Sequence, residues 1–199
     1  MRRIVLVMTG LALAGPATAQ QTPPAAGQPL GGPRIAGVCL LSQQAVVANA
    51  KVGKAATARL QQLAQQAQAE VDAGKVPIEA DAKALQAQSA TLKADDLKTK
   101  QQALAQRYQS LQQSAQARSR QVELTREKVL AQIATAAQPV IAQAYKARQC
   151  GLLLDRSAIL GGNMDGDLTA EVVQGLDAKL STISFDLEPL PAPAAPPRR

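Results

Sequence analysis

Residues 51–72, KVGKAATARLQQLAQQAQAEVD, carry the pattern on which the fold turns. Leu60, Leu63, Ala67 and Val71 recur at spacings of three and four, the period of one helix face. The surrounding Ala, Gln, Lys and Leu are strong helix formers with few β-branched residues among them. The rhythm continues downstream, where Leu85 and Leu92, then Leu97, Leu104 and Leu111, then Val122 and Val129 step by sevens in coiled-coil fashion. A helical region over 53–149 follows. Gly74 and Pro77 are expected to interrupt its first part, and Pro139 to bend a helix that otherwise continues to Tyr145. So thin an apolar stripe needs a partner, and the nearest is the chain itself, folded back as an antiparallel hairpin. Arms of similar length put the reversal around Lys93–Asp96, with Gly74–Ile78 as the rival position. Each arm of about 45 residues would reach roughly 65–70 Å at 1.5 Å per residue.

On either side of this region the pattern changes. Residues 35–41 (IAGVCLL) form a short apolar run bounded by Pro33 and Ser42, and residues 151–155 (GLLLD) a second, with Ala158-Ile159-Leu160 as a candidate extension. Both read as buried strands. Asp167 is a credible N-cap for a helix with Val172, Val173, Leu176 and Leu180 on one face. Ile183, Phe185 and Leu187 alternate with polar residues, the period of a half-buried strand. The fold class expected is therefore α+β: a long antiparallel α-helical hairpin, a coiled-coil arm, projecting from a small β-sheet body.

The division of the chain follows from composition. Residues 1–19 read as a signal peptide, with Arg2 and Arg3 before an apolar stretch and Ala17-Thr18-Ala19 as the cleavage pattern. The apolar stretch falls short of the roughly 20 residues needed to span a bilayer, so an uncleaved anchor is the weaker reading. Residues 20–34 are a flexible linker, 35–52 the first part of the β body, 53–149 the hairpin arm, 150–187 the second part of the body, and 188–199 a disordered Pro-rich tail.

Composition excludes several function classes. The chain has no His and no Trp, and only two Tyr and one Phe. Histidine-based acid, base or nucleophile-activating chemistry has no residue to use, and a ring-lined pocket or base-stacking surface is equally unsupported. Cys39 and Cys150 belong to no C-x-x-C pair, and neither GxGxxG nor GxxxxGK[ST] occurs. Asp155, Asp165 and Asp167 lack the order of a calcium loop and suit turns and caps better. Lys54 has no catalytic partner in the sequence and reads as helix-surface charge. No enzyme, cofactor or metal is expected, and no nucleic-acid partner, since no reading motif is present.

The sequence resembles the OmpH/Skp family of periplasmic chaperones. The resemblance rests on residues 35–47, on Val52-Gly53-Lys54-Ala55-Ala56 with Leu60 after it, on Gly151-Leu152-Leu153-Leu154-Asp155, and on Asp167-Leu168-Thr169-Ala170-Glu171-Val172-Val173, in that order over residues 35–181. It implies a homotrimer with a small β body and helical arms around a cavity for unfolded outer-membrane proteins, located in the periplasm. It also places Cys39 and Cys150 on or beside two strands of one sheet, in a compartment that permits disulfides. A bond between them is expected, two buried free thiols being the alternative.

Charge and size agree with that implication. Residues 51–148 hold 15 Lys+Arg against 8 Asp+Glu, whereas 149–199 hold 4 against 7. A basic arm would speed capture of acidic unfolded barrels and make weak contact with anionic lipid or lipopolysaccharide, although a plain solvated face with a lysine surplus accounts for the same counts. The body is too small to build much core alone and gains by joining copies of itself. The function expected is an ATP-independent holdase, which binds unfolded clients and keeps them from aggregating. The rival is a coiled-coil hairpin serving as a structural adaptor in an envelope assembly.

Overall fold

The computed structural model describes residues 31–191. The signal peptide 1–19, most of the 20–34 linker and the end of the 188–199 tail lie outside the described residues. Within them the chain runs β1 (Val38–Leu41), α1 (Gln43–Asn49), α2 (Lys51–Gln88), α3 (Ala94–Ala147), β2 (Leu152–Asp155), a short 3-10 turn (Arg156–Ala158) and α4 (Thr169–Lys179). The α+β hairpin-on-body arrangement expected from the sequence is the one the molecule has.

The hairpin turns at Ser89–Lys93, a few residues before the expected position, and Ala94, Asp95 and Asp96 already form the first turn of α3. The carboxylates of Asp95 and Asp96 favour a helix start, where unpaired N–H groups carry partial positive charge. The helices are unequal, 38 residues in α2 and 54 in α3, or about 57 and 81 Å. The difference arises because α3 runs back alongside both α2 and α1. Pro77 and Gly74 do not interrupt α2, and Pro139 does not end α3. Both prolines stand on the exposed side, next to buried Ile78 and Val140. The packing of those neighbours holds the helix through the single lost hydrogen bond.

Residues 43–49 and 51–52, expected to belong to the β body, are helical. Ser42 caps α1 by accepting the N–H of Ala45 (3.1 Å), and Val46 is buried. Ala50 is extended and separates α1 from α2. The start of α2 has no cap of its own, and Asp177 of α4 supplies one by accepting the Lys51 N–H at 2.7 Å. The corner is tight: a Cβ on Gly53 would sit 1.7 Å from the Val47 carbonyl oxygen, so only glycine fits.

β1 and β2 pair in parallel from Val38↔Leu152 to Leu41↔Asp155. The two-helix arm is the crossover that parallel pairing requires. The end of α3 decides where β2 begins. Gln149 adopts φ 54°, the Gln149 N–H donates to the Lys146 carbonyl and the Cys150 N–H to the Tyr145 carbonyl, a Schellman stop. Gly151 and Leu152 then donate to the Gly37 carbonyl at 2.7 and 2.9 Å. On the other edge of β1, Leu40 donates to Gly166 and accepts from Leu168. The extension through 158–160 is not strand, because Asp155 accepts the Ser157 N–H and curls the chain into the 3-10 turn.

The body's core is more helical than the sequence suggests. It joins Cys39 and Leu41 of β1 to Val46, Val52, Ala56, Val129, Ile133, Val140, Leu168, Val172 and Leu176. Asp167 accepts the Thr169 N–H at 2.8 Å just before α4, one residue ahead of the formal cap Leu168. Residues 183–187 are not a strand. Their alternation is real, with Ile183, Phe185 and Leu187 half-buried, but they lie against the helical arm. Arg59 pairs with Asp186 (2.7 Å), Lys128 with Glu188 (2.7 Å), and the Glu188 N–H donates to the buried Thr125 hydroxyl (2.8 Å). The apolar face found a helix pair before it found a strand edge.

Candidate functional site

The helical arm has two physically different halves. Near the body α2 buries Val52, Ala56, Leu63, Ala67, Val71 and Ile78, and α3 buries Thr125, Val129, Ile133, Ala137, Val140 and Ala144. From residue 79 to residue 124 none is fully buried, and Leu85, Leu92, Leu97, Leu104 and Leu111 are half-covered. Leu111 packs over Gly74, where a Cβ would lie 2.9 Å from its Cδ1. The leucines of the outer arm thus serve its own pairing first, and only a smaller part of each is left to solvent.

Ion pairs tie the two helices across this thin seam, Arg118 with Glu70 and Arg107 with Asp81. Lys75 and Asp72 pair within α2; the Lys75 ammonium, with help from the Gln68 amide, holds the Asp72 carboxyl below its usual range, and Lys75 is raised in turn. Exposed pairs of this kind contribute about 0–1 kcal/mol each. Towards the tip Lys83, Lys93, Lys98 and Lys100 make no ion pair among the described residues, and neither does Lys54, which is exposed near the body. The outer arm is a long, weakly sealed rod with 7 Lys+Arg against 5 Asp+Glu over residues 79–124.

A groove of about 680 Å³ opens where α1 crosses the two long helices. Val47 of α1, Leu60 of α2 and Val122, Leu130 and Ile141 of α3 give it an apolar lining, with Arg126 on its wall. The sequence reading missed it because α1 was not recognised as a helix. Ser42 ahead of Val46 and Val47 was the available signal, an N-cap before an apolar pair.

In the body, Cys39 and Cys150 are paired, with Cα atoms 5.8 Å apart. Cys39 lies in β1 and Cys150 just after the stop of α3, so the pair pins the base of the arm to the sheet. Asp155 binds the Ser157 hydroxyl and N–H, which hold its carboxyl below the ordinary value. Asp167 pairs with Arg156 at 3.1 Å besides capping α4, and Asp165 donates its N–H to the Asn163 side chain. The Asp155 and Asp167 carboxylates are thus engaged in a turn and a cap, and Asp165 enters its turn through its backbone N–H. Among the described residues no three metal-ligating side chains cluster, and no helix is long and apolar enough to cross a membrane.

The far edge of β2 carries no partner strand, and its sequence is Leu-Leu-Leu-Asp. Leu152 is 49 % exposed, Ile35 68 % and Leu160 fully so. An open, leucine-rich edge flanked by exposed apolar side chains is a surface that soluble proteins ordinarily cover.

Two comparisons bear on this arrangement. Residues 37–176 match the family described as outer membrane protein (OmpH-like). A crystal structure from Caulobacter crescentus, of a chain designated an outer membrane chaperone (OmpH-like), superimposes with a TM-score of 0.75 at 36 % identity, covering 82 % of this chain and 96 % of that one. No curated protein matches.

Proposed function

The chain belongs to the OmpH-like family, and from that premise we propose that it is a chaperone of the periplasm, an ATP-independent holdase that keeps unfolded outer-membrane proteins from aggregating between basic helical arms. The observation that carries the reading is the outer arm. The arm as a whole carries the net positive charge, and from 79 to 124 it has no fully buried residue, so it can meet a large, featureless client over much of its length. Its charge attracts acidic chains over a screening length of about 8 Å in physiological salt, which speeds capture without fixing one bound geometry. The same charge would give weak contact with anionic lipid or lipopolysaccharide. No catalytic step enters this reading.

In this proposal three copies join through the body, with the open β2 edge and the exposed Leu152, Ile35 and Leu160 as the faces to be covered. Three arms rooted together enclose a space that no single chain has. The segment 1–19 directs export and is removed, and the Cys39–Cys150 bond forms in an oxidising compartment.

The test is to dilute a urea-denatured outer-membrane barrel into buffer with and without the purified mature protein, at several salt concentrations. Light scattering should stay low with the protein present, with protection weakening as salt rises. Equal scattering with and without the protein rejects the holdase reading, and protection independent of salt rejects the part played by arm charge.

A further inference from the structure

The groove under α1 differs from the rest of the arm. Thr57, Leu60, Gln61 and Ala64 share one face of α2, while Arg59, which holds the segment 183–188, points from another. One side of the arm's base is thus strapped by the chain's own C-terminal segment and the other is left open. Leu130 in this opening is 37 % exposed although Val129 and Ile133 beside it are buried. A trough of this size falls in the range of peptide and ligand clefts.

Its polar groups are selective. No carboxylate lines it, and its single cation, Arg126, makes neither a hydrogen bond nor an ion pair among the described residues. Four glutamines, Gln43, Gln44, Gln61 and Gln138, stand around it. A glutamine amide both donates and accepts, which is what an extended main chain requires, because its N–H and C=O groups lose water as its side chains enter an apolar trough. A docking helix, with its backbone already satisfied, would have no use for those amides.

We propose that this groove is a client subsite, taking an extended segment of an unfolded chain whose alternate side chains are apolar and which carries an acidic residue to meet Arg126. The proposal rests on the holdase reading. It adds a defined foothold at the base of the arm to the diffuse attraction further out.

The test uses the full mature protein and a fluorescent ten-residue peptide alternating apolar and polar residues, with either glutamate or lysine at one polar position, read by anisotropy. The wild type should bind the glutamate peptide several-fold more tightly, and Arg126→Gln should bring the ratio near one. Ala64→Glu, at an exposed position of the groove, should weaken binding at least tenfold, while Gln62→Glu, exposed outside the lining, should change it less than twofold. Failure of the wild type to bind, or equal loss from both glutamate substitutions, overturns the groove assignment. So does a change in sedimentation on Ala64→Glu, which would make the groove an interface between copies. Aggregation suppression is measured in parallel: protection by a wild type that binds no peptide leaves the holdase reading standing and removes only the subsite, whereas absence of protection removes both.

Discussion

The base of the arm and its outer half are both rich in Ala, Gln and Leu, yet they are different materials, and nearly all the Val and Ile of the arm lies at the base. Residues 51–78 and 125–147 bury a continuous seam that includes Leu63, Val71, Ile78, Val129 and Ile133. Residues 79–124 keep leucines at helical spacing but bury none completely. The difference lies in what surrounds each half. At the base α1, α4 and the strapping segment 183–188 cover the helix pair on several sides, and in the outer half two helices have only each other. A helix pair with one shared stripe must leave most of its apolar surface half-wet. Stability is therefore concentrated at one end, and adaptability at the other.

The largest way to break this contrast is through the disulfide. Cys39 and Cys150 close a loop of 111 residues containing the entire arm. In the chain-entropy account, replacing both with alanine removes about 4–5 kcal/mol. Urea unfolding of the oxidised wild type and the double variant measures it. A loss below about 1 kcal/mol would mean that the base holds without its pin.

A paired substitution sharpens the comparison directly. Ile133 at the base is completely buried, and Ile133→Ala should cost about 2–5 kcal/mol. Leu104 in the outer arm is only half-covered, and Leu104→Ala should cost less than about 1.5 kcal/mol, since less apolar area leaves water. Equal losses in urea unfolding would show that the two halves are sealed alike.

A smaller effect is expected at the stop of α3. Gln149 has φ 54°, a conformation that costs a side-chain-bearing residue about 1–2 kcal/mol per position and glycine little. Glycine also gains chain entropy when unfolded, so Gln149→Gly should raise stability by less than about 1 kcal/mol in the same measurement. Destabilisation would show that the glutamine contributes more than its backbone shape.

The smallest effect concerns pH. The Ser157 hydroxyl, and then its N–H, hold the Asp155 carboxyl below the ordinary carboxylate value. The ionised form is favoured by folding, so this contribution is fully present above the unfolded value and is lost as pH falls through the lowered native one. An NMR titration should find the Asp155 midpoint low, and Ser157→Ala should move it upward. An unchanged midpoint would show that the hydroxyl has no hold on the charge.

Much of the fold was legible because it depends on periodicity. Leu60, Leu63, Ala67 and Val71 announce a helix whatever surrounds them, and the GLLLD run at 151–155 announces a strand. Phe185 shows where legibility ended. Its alternation with Ser184 and Asp186 identifies one apolar side but not its partner, and Arg59, Thr125 and Lys128, distant in sequence, supply a helical surface instead of a strand. Pro77 misled for a similar reason. Its local cost is readable, but the burial of Ile78 that offsets it is not. Of the candidate site, the net positive charge of the whole arm could be read from charge counts, while the groove could not, since it exists only where α1 folds over α2 and α3.

The sequence alone settled the helical arm, its doubling back, its positive charge and the two short apolar runs that frame it, since each is a local property of composition or spacing. The tertiary structure decided what met what: Asp177 capping α2 across 126 residues, the C-terminal segment strapping one side of the arm's base, and the opening left on the other. Periodicity specifies which face of an element must leave water, whereas the surface that covers it is chosen by the arrangement of distant segments in space.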